Sequence, residues 1–152
     1  MRKLSSQEIA NATPWPASPF QMVNSRHFEP TIDGWLIPDS PDNMYLLHRE
    51  NPIPLIIGHN SDDGVTLAAD ANMTVSEYRT YIQNRFKRDA DAVLLKYPAN
   101  STAEVQTQLE QIMTDYDFND PAKFVAGSMA EMNASTYSVS YTHLTLPTKR
   151  IV

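Results

Sequence analysis

The chain has 152 residues, of which 41% are hydrophobic, and this is enough to bury one core of an ordinary globular domain. Its formal charge of −6 gives no basic surface for nucleic acid, and no apolar run is long enough to cross a bilayer. Because there is no cysteine, disulfides, thiolate nucleophiles and cysteine-ligated zinc are excluded, and we predict neither a metal nor a cofactor.

The first third of the chain is rich in proline. Eight of the eleven prolines lie between Pro14 and Pro54. Proline fixes φ and donates no backbone hydrogen bond, so this region is predicted to be mainly loop. A short helix is predicted to begin at Ser40, because Pro41 then occupies the first helical position. A region so rich in loops is not expected to fold as a domain of its own.

An apolar run, Ile53–Gly58, is bounded by turn-forming residues and is predicted to be a strand buried on both faces. The turn Asn60–Gly64 follows and places two carboxylates, Asp62 and Asp63, at the carboxyl end of the strand. In open α/β sheets this end is where ligands bind and where chemistry takes place. One interpretation therefore makes Asp62 or Asp63 a catalytic acid.

The same turn has a simpler interpretation. Asn, Ser, Asp and Gly are the residues that tight turns favour, because Asx side chains bond the nearby backbone and glycine accepts positive φ. Turn chemistry alone explains the whole segment Asn60–Gly64 without any catalysis. The spacing within the turn is compatible with both interpretations.

Helical patterns follow the turn. Two capping boxes, Thr74–Glu77 and Ser101–Glu104, predict helix starts, and Asp120 with Pro121 predicts a third. A break between two helices is expected near Arg88. Apolar residues recur near helical spacing after each start, and we interpret these stripes as core faces and not as a cofactor site. The residues predicted to face the core are Val75, Tyr78, Ile82, Phe86, Val93, Leu94, Val105, Leu109, Ile112, Phe124, Val125, Met129 and Met132.

The end of the chain needs separate treatment. Tyr137 begins a second stretch with the character of a strand, but from about Val139 the sequence resembles the translation of a transposon end joined to a sequencing adapter. We therefore divide the chain into a native part, residues 1–138, and an expected library artefact without structure, residues 139–152. The alternative is a native strand that ends in a basic tail.

Several motifs occur in an order that resembles one family. Phe28–Pro38 contains F-x-P-x-x-D-G, and the strand and acidic turn read P-L-I-I-G-H-N-S-D-D-G. Tyr97, Thr114–Phe118 and Tyr137 follow. From about Met1 to Tyr137 the chain resembles, in matching order, the C-terminal third of the type B carboxylesterases, which include the cholinesterases. The resemblance implies an incomplete α/β-hydrolase fold, mostly helical with one or two strands.

The resemblance also implies hydrolysis of small-molecule carboxylic esters by a Ser-His-acid triad. The family's acid is usually the Glu of D-E-G, and Asp63 stands at that position, with Asp62 at the preceding aspartate. Aspartate is one methylene shorter, so the histidine must approach it more closely. The sequence contains neither a G-x-S-x-G nucleophile motif nor an oxyanion-hole glycine motif. We therefore predict that Asp63 is the one triad member present and that the chain alone is inactive.

None of the four histidines lies in the G-A-x-H-G-like loop that contains the family's catalytic histidine. His143 follows Asp63, as the triad order requires, but it stands in the expected artefact. His59 is predicted to be structural, because no serine in a nucleophile motif could partner it. His27 and His48 precede the acid and are predicted to be surface or packing residues.

Thr66 and Leu67 correspond to positions that line the active-site gorge and are aromatic in cholinesterases, so a choline-type substrate is not expected.

Two other interpretations of the function remain beside the esterase. The first is that the parent protein is a non-catalytic member of the family that binds a partner, as the adhesion members do. The second is a small helical binding module whose likeness to the family is due to chance. Members of the family are often exported.

Overall fold

The computed structural model describes residues 3–12, 20, 30–132 and 134–142. This part of the chain is mostly helical with two strands, as predicted. In chain order the elements are α1 (Ser6–Ala12), α2 (Pro41–Leu46), β1 (Leu55–Asn60), α3 (Asp63–Ala68), α4 (Val75–Phe86), a 3₁₀ turn (Lys87–Asp89), α5 (Ala90–Lys96), α6 (Thr102–Met113), a π-helical segment (Thr114–Asn119), α7 (Asp120–Glu131) and β2 (Thr136–Tyr141).

The helix starts follow the capping signals with one difference. The capping box of α4 is complete, because the Thr74 hydroxyl accepts from the amide of Glu77 and the Glu77 carboxylate accepts from the amide of Thr74. At α6 the Ser101 hydroxyl accepts from the amide of Glu104, but the Glu104 carboxylate accepts from the amide of Asn100. In the second box the carboxylate therefore binds the amide of the residue before the N-cap and not the amide of the N-cap itself.

The two strands lie side by side and run parallel. Leu55 pairs with Thr136 and Asn60 pairs with Tyr141, with no slip between these ends. Parallel strands need a long crossover, and here the helices α3 to α7 supply it. The carboxyl ends of β1 and β2 therefore meet at the same edge of the sheet, next to the acidic turn.

The prediction that the first strand is buried on both faces is wrong for the described residues. Leu55 and Ile57 are half-buried, whereas Ile56 is 75% exposed. The π-helical segment contacts β1, and α7 contacts both strands, so one face of the sheet is covered while Ile56 lies on the other. The apolar run therefore alternates between a covered and an exposed face.

The expectation that residues 139–152 have no structure is also wrong for three of them. Val139, Ser140 and Tyr141 form the end of β2 and pair with Gly58, His59 and Asn60. The residues from 143 onwards lie outside the described part of the chain. The origin of this tail in an adapter stays a prediction.

The core lies among the helices, away from the strands. Its largest fully buried side chains are Tyr78, Ile82, Val105, Leu109 and Met113. All but Met113 were predicted to face inward, whereas Phe124 is 37% exposed despite its helical spacing. None of the described helices combines the length and the apolar character that crossing a membrane requires.

A π-helical segment joins α6 to α7 without an intervening loop. Asp120 was predicted to begin a new helix, and α7 does begin there, but it continues directly from the Thr114–Asn119 segment. Further along α7, the Ser128 hydroxyl donates to the carbonyl of Tyr45 at 2.6 Å, which connects this helix to the end of α2. Helices of the π type are rare and often occur at functional sites.

Candidate active site

The acidic turn lies at the carboxyl end of both strands. The Ser61 amide donates to the carbonyl of Tyr141 at 2.9 Å, which extends the parallel ladder by one bond beyond β1. Asp63 is the first residue of α3 and is half-buried, whereas Asp62 is exposed. The two aspartates named from the sequence are therefore adjacent at the sheet edge where α/β proteins place their chemistry.

The Asp63 carboxylate is bound at both oxygens by a single residue. The Asn60 amide of the main chain donates to Oδ2 at 2.8 Å, and the Asn60 side-chain amide donates to Oδ1 at 2.7 Å. A carboxylate oxygen has two acceptor positions, so each oxygen can still accept one more hydrogen bond. The Asp62 carboxylate instead accepts from the Ser61 hydroxyl at 2.7 Å.

None of the histidines in the described residues contacts Asp63. His59 Nδ1 lies 2.9 Å from the carbonyl oxygen of Asn60, a local contact along the chain. His48 lies beside α7, where its Nε2 is 3.4 Å from the Glu131 carboxylate. His27 and His143 lie outside the described residues. The arrangement therefore contains an acid but brings no described imidazole to it.

A close contact with α6 fixes the start of α3. The Gly64 amide donates to the Thr114 hydroxyl at 2.9 Å, and that hydroxyl donates to the carbonyl of Glu110, also at 2.9 Å. A Cβ at Gly64 would overlap the Glu110 carbonyl oxygen, so the glycine after the acid permits this approach. Thr114 opens a motif noted in the sequence, but its bond to Gly64 was not predicted, because nothing in the local pattern points to a partner 50 residues away.

An open cleft of about 480 Å³ adjoins the acid. Thr66 lines this cleft, whereas Leu67 packs against the helical core, and the correspondence of these two positions to a gorge stays a prediction. The cleft is lined by Asn60, Ser61, Asp62, Asp63, Val65, Thr66, Tyr141 and Thr142. Within the described residues, no group of three or more histidine or carboxylate side chains is arranged to bind a metal ion.

A second polar cluster borders a neighbouring cleft of about 500 Å³. The Tyr97 hydroxyl donates to Asp115 Oδ2 at 2.5 Å, and Lys96 Nζ lies 3.5 Å from the same oxygen. Burial acts to raise the pKa of Asp115, but the hydrogen bonds from Tyr97 and Asn119 and the charge of Lys96 outweigh it, so that the pKa is lowered. Asp115 is therefore ionised and binds the side chains of Lys96 and Tyr97 at the C-terminal end of α5.

The fold and the turn define a class of protein: a parallel α/β arrangement with carboxylates at the carboxyl end of its strands. The model of the carboxylesterase family matches residues 1–150. The chain belongs to the carboxylesterase family, and the resemblance noted in its sequence is confirmed. The interpretation as an unrelated helical module with a chance likeness is wrong, because the match covers nearly the whole chain. The family has the α/β-hydrolase fold, with which the two parallel strands and their helices agree.

Three curated relatives are similar to this chain. Fumonisin B1 esterase of Sphingopyxis macrogoltabida is 27% identical, over 80% of this chain and 23% of the relative. Lipase 1 of Geotrichum candidum is 27% identical, over 79% of this chain and 25% of the relative. Crystal protein of Dictyostelium discoideum is 26% identical, over 71% of this chain and 20% of the relative. The chain thus spans about a quarter or less of the length of these relatives.

Proposed function

We propose that this chain is the acid-bearing part of a serine carboxylesterase and that Asp63 is the acid of its Ser-His-acid triad. The observation that supports the proposal is the place of Asp63, a half-buried carboxylate at the carboxyl end of two parallel strands in a carboxylesterase-family chain. Its oxygens retain acceptor capacity beside an open cleft. The substrate class is a small-molecule carboxylic ester.

The proposed reaction passes through an acyl-enzyme. The serine oxygen of the parent protein attacks the ester carbonyl carbon while the histidine takes the serine proton, and the alcohol then leaves with that proton. Water repeats the sequence on the acyl-enzyme and releases the acid. Asp63 accepts a hydrogen bond from the other imidazole nitrogen, which fixes the tautomer and stabilises the imidazolium.

The same proposal makes the isolated chain inactive. In subtilisin, loss of the serine or the histidine costs about a millionfold in kcat. This chain has no G-x-S-x-G motif and no histidine in the family's loop pattern. We expect no hydrolysis of a short p-nitrophenyl ester by the purified chain. Hydrolysis above background that is abolished by Asp63→Ala would contradict this part of the proposal.

The decisive test uses the parent gene. DNA that flanks this reading frame is recovered from the source sample by long-read sequencing, and the complete frame is expressed and assayed with p-nitrophenyl esters. We expect a G-x-S-x-G motif upstream, a G-x-x-H loop downstream, and a loss of about ten-thousandfold in kcat for Asp63→Asn. Asp62→Asn is expected to cost far less, because Asp62 is exposed and bonded to Ser61. The opposite order would assign the acid to Asp62.

A second candidate function is that the family fold binds a partner without catalysis. The name of the Dictyostelium relative, crystal protein, states no esterase activity. Two hydrogen bonds from Asn60 are also what a purely structural turn aspartate would receive. A parent gene that lacks the serine or the histidine of the triad would favour this candidate over the esterase.

A further inference from the structure

The two hydrogen bonds to Asp63 come from different groups of one residue. Asn60 is the last residue of β1, and both its main-chain and its side-chain N–H groups point at the Asp63 carboxylate, at 2.8 and 2.7 Å. Each group binds a different oxygen, so the pair fixes the rotation of the carboxylate as well as its position. One hydrogen bond alone would leave that rotation free.

The main chain of Asn60 is itself held in place by the sheet. Asn60 pairs with Tyr141 in the parallel ladder, and the next amide, that of Ser61, donates to the Tyr141 carbonyl. One of the two bonds to the carboxylate therefore comes from main chain that the two strands hold in place, and the other comes from the side chain of the same residue. Catalytic groups must be held close to their productive geometry, and support by neighbouring hydrogen bonds is how proteins achieve this.

We propose that Asn60 is the positioning residue of the triad acid: it aligns the Asp63 carboxylate so that the remaining acceptor position of one oxygen faces the incoming imidazole. This inference rests on the proposed function of Asp63. Asn60 does not touch the substrate or the reacting atoms in this scheme and acts through Asp63. Removal of its side chain leaves the main-chain bond to Oδ2 and frees Oδ1.

The catalytic test is a double-mutant cycle in the complete parent enzyme. Asn60→Ala is expected to lower kcat about a hundredfold with little change in KM, because misplacement of a catalytic group by about 1 Å costs on that order. In an Asp63→Ala background the same substitution should have no further effect on kcat, because Asn60 then has nothing to position. A further loss of tenfold or more in that background would show a merely structural role and overturn the proposal.

A matched control removes a similar contact elsewhere. Asn43 Nδ2 donates to Asp39 Oδ1 at 3.1 Å near the start of α2, so it is another Asn-to-Asp side-chain bond. Asn43→Ala is expected to leave kcat within about twofold, since exposed substitutions away from special features have small effects. An equal loss of kcat in the Asn60 and Asn43 variants would overturn the specific role of Asn60.

A second measurement needs no activity and uses the 152-residue chain as it is. Amide hydrogen exchange followed by ¹⁵N NMR is expected to show a protected Asn60 amide that exchanges about tenfold faster in Asp63→Ala. If this variant does not fold, Asp63→Asn is used. Its side chain keeps only one acceptor oxygen, so either the main-chain or the side-chain N–H signal of Asn60 is expected to move upfield relative to the wild-type chain. No change in the Asn60 signals would overturn the proposed clamp.

The two measurements separate the inference from the function on which it rests. A complete parent protein that hydrolyses no ester contradicts the proposed function, and the exchange measurement then decides alone whether Asn60 holds the carboxylate. An active parent in which Asn60→Ala has wild-type kcat supports the function and overturns the positioning role.

Discussion

The amide of Gly64 donates to the hydroxyl of Thr114, a residue 50 positions later in the chain, and the bond is buried. This contact joins the residue that follows Asp63 to the first residue of the π-helical segment. The start of α3 is therefore fixed by the π-helical segment as well as by β1. Changes at Thr114 should reach the acidic turn through Gly64, the residue that follows Asp63.

We expect Thr114→Val to lower the free energy of unfolding by about 1–3 kcal/mol, because it leaves the buried Gly64 amide without its acceptor. Urea unfolding followed by circular dichroism measures this. Thr107→Val is the matched control, because the Thr107 hydroxyl also donates to a carbonyl one turn back but lies exposed on α6. Equal effects of the two substitutions would contradict the special role of the Thr114 bond.

Gly64→Ala is expected to destabilise the chain by about 1–3 kcal/mol, because the new methyl would overlap the Glu110 carbonyl oxygen and the backbone must move. Gly127→Ala is the opposite case, since it lies in α7 and a Cβ there meets nothing within 4 Å. Alanine should stabilise that helix by about 0.5–1 kcal/mol. Thermal unfolding of the two variants should therefore shift in opposite directions.

Tyr78 is fully buried and its hydroxyl donates to the carbonyl of Tyr97 at 2.7 Å. Tyr78→Phe leaves that carbonyl without this donor, and we expect a loss of about 1 kcal/mol in the free energy of unfolding. Tyr137→Phe, at an exposed position, should change it by less than about 0.5 kcal/mol. Comparable losses in the two variants would mean that the buried hydrogen bond adds no stability.

Tyr78 also predicts a loss of stability in alkali. Burial, together with the neighbouring Tyr97, raises the pKa of Tyr78 from 10.0 to about 12. Between these two values the folded state keeps the Tyr78 proton, whereas the unfolded state releases it. The stabilisation by the protonated Tyr78 hydroxyl is therefore complete below pH 10 and is lost as the pH rises towards 12. Urea unfolding between these pH values should show a decline that is smaller in Tyr78→Phe.

The loop of residues 33–37, which precedes α2, should lose its order as the pH falls. Asp33 Oδ1 accepts from the amides of Ile37, Trp35 and Leu36, and the hydrogen bonds from Ile37 and Trp35 lower the pKa of Asp33 below 3.8. The ordering of the loop is then complete above pH 3.8 and is lost as the pH falls through the lowered pKa. The three amide signals in NMR spectra should titrate together, and Asp33→Asn should abolish that titration.

The local features of this fold were predictable because their causes lie within a few residues. The box at Thr74, the start of α2 at Ser40 and the strand before Asp63 each follow from residues adjacent in sequence. The Gly64–Thr114 contact and the π-helical segment depend on how helices that are distant in sequence pack together. Local sequence patterns do not predict this packing. The exposure of Ile56 was missed for a related reason. An apolar run predicts a strand, but it does not indicate which elements pack against each face of that strand.

The candidate site was predicted in part. The residues of the turn and their place after a strand followed from the sequence, and the assignment of Asp63 as the triad acid stays a prediction. The role of Asn60 was not foreseen, because Asn at a strand end has an ordinary explanation in turn chemistry. Its two bonds to one carboxylate depend on the fold of the turn, which brings Asn60 back against Asp63.

The π-helical segment has a consequence for how insertions and deletions would act on this chain. A π-helical turn arises when a helix accommodates an extra residue, so α6 and α7 can be regarded as one long helix with an insertion at Thr114–Asn119. Deleting one residue there would restore regular α-helical bonding and rotate everything after it by about 100°. Ser128 would then turn away from the Tyr45 carbonyl, and the connection between α7 and α2 would be lost. One surplus residue thus determines which side of α7 meets the rest of the chain.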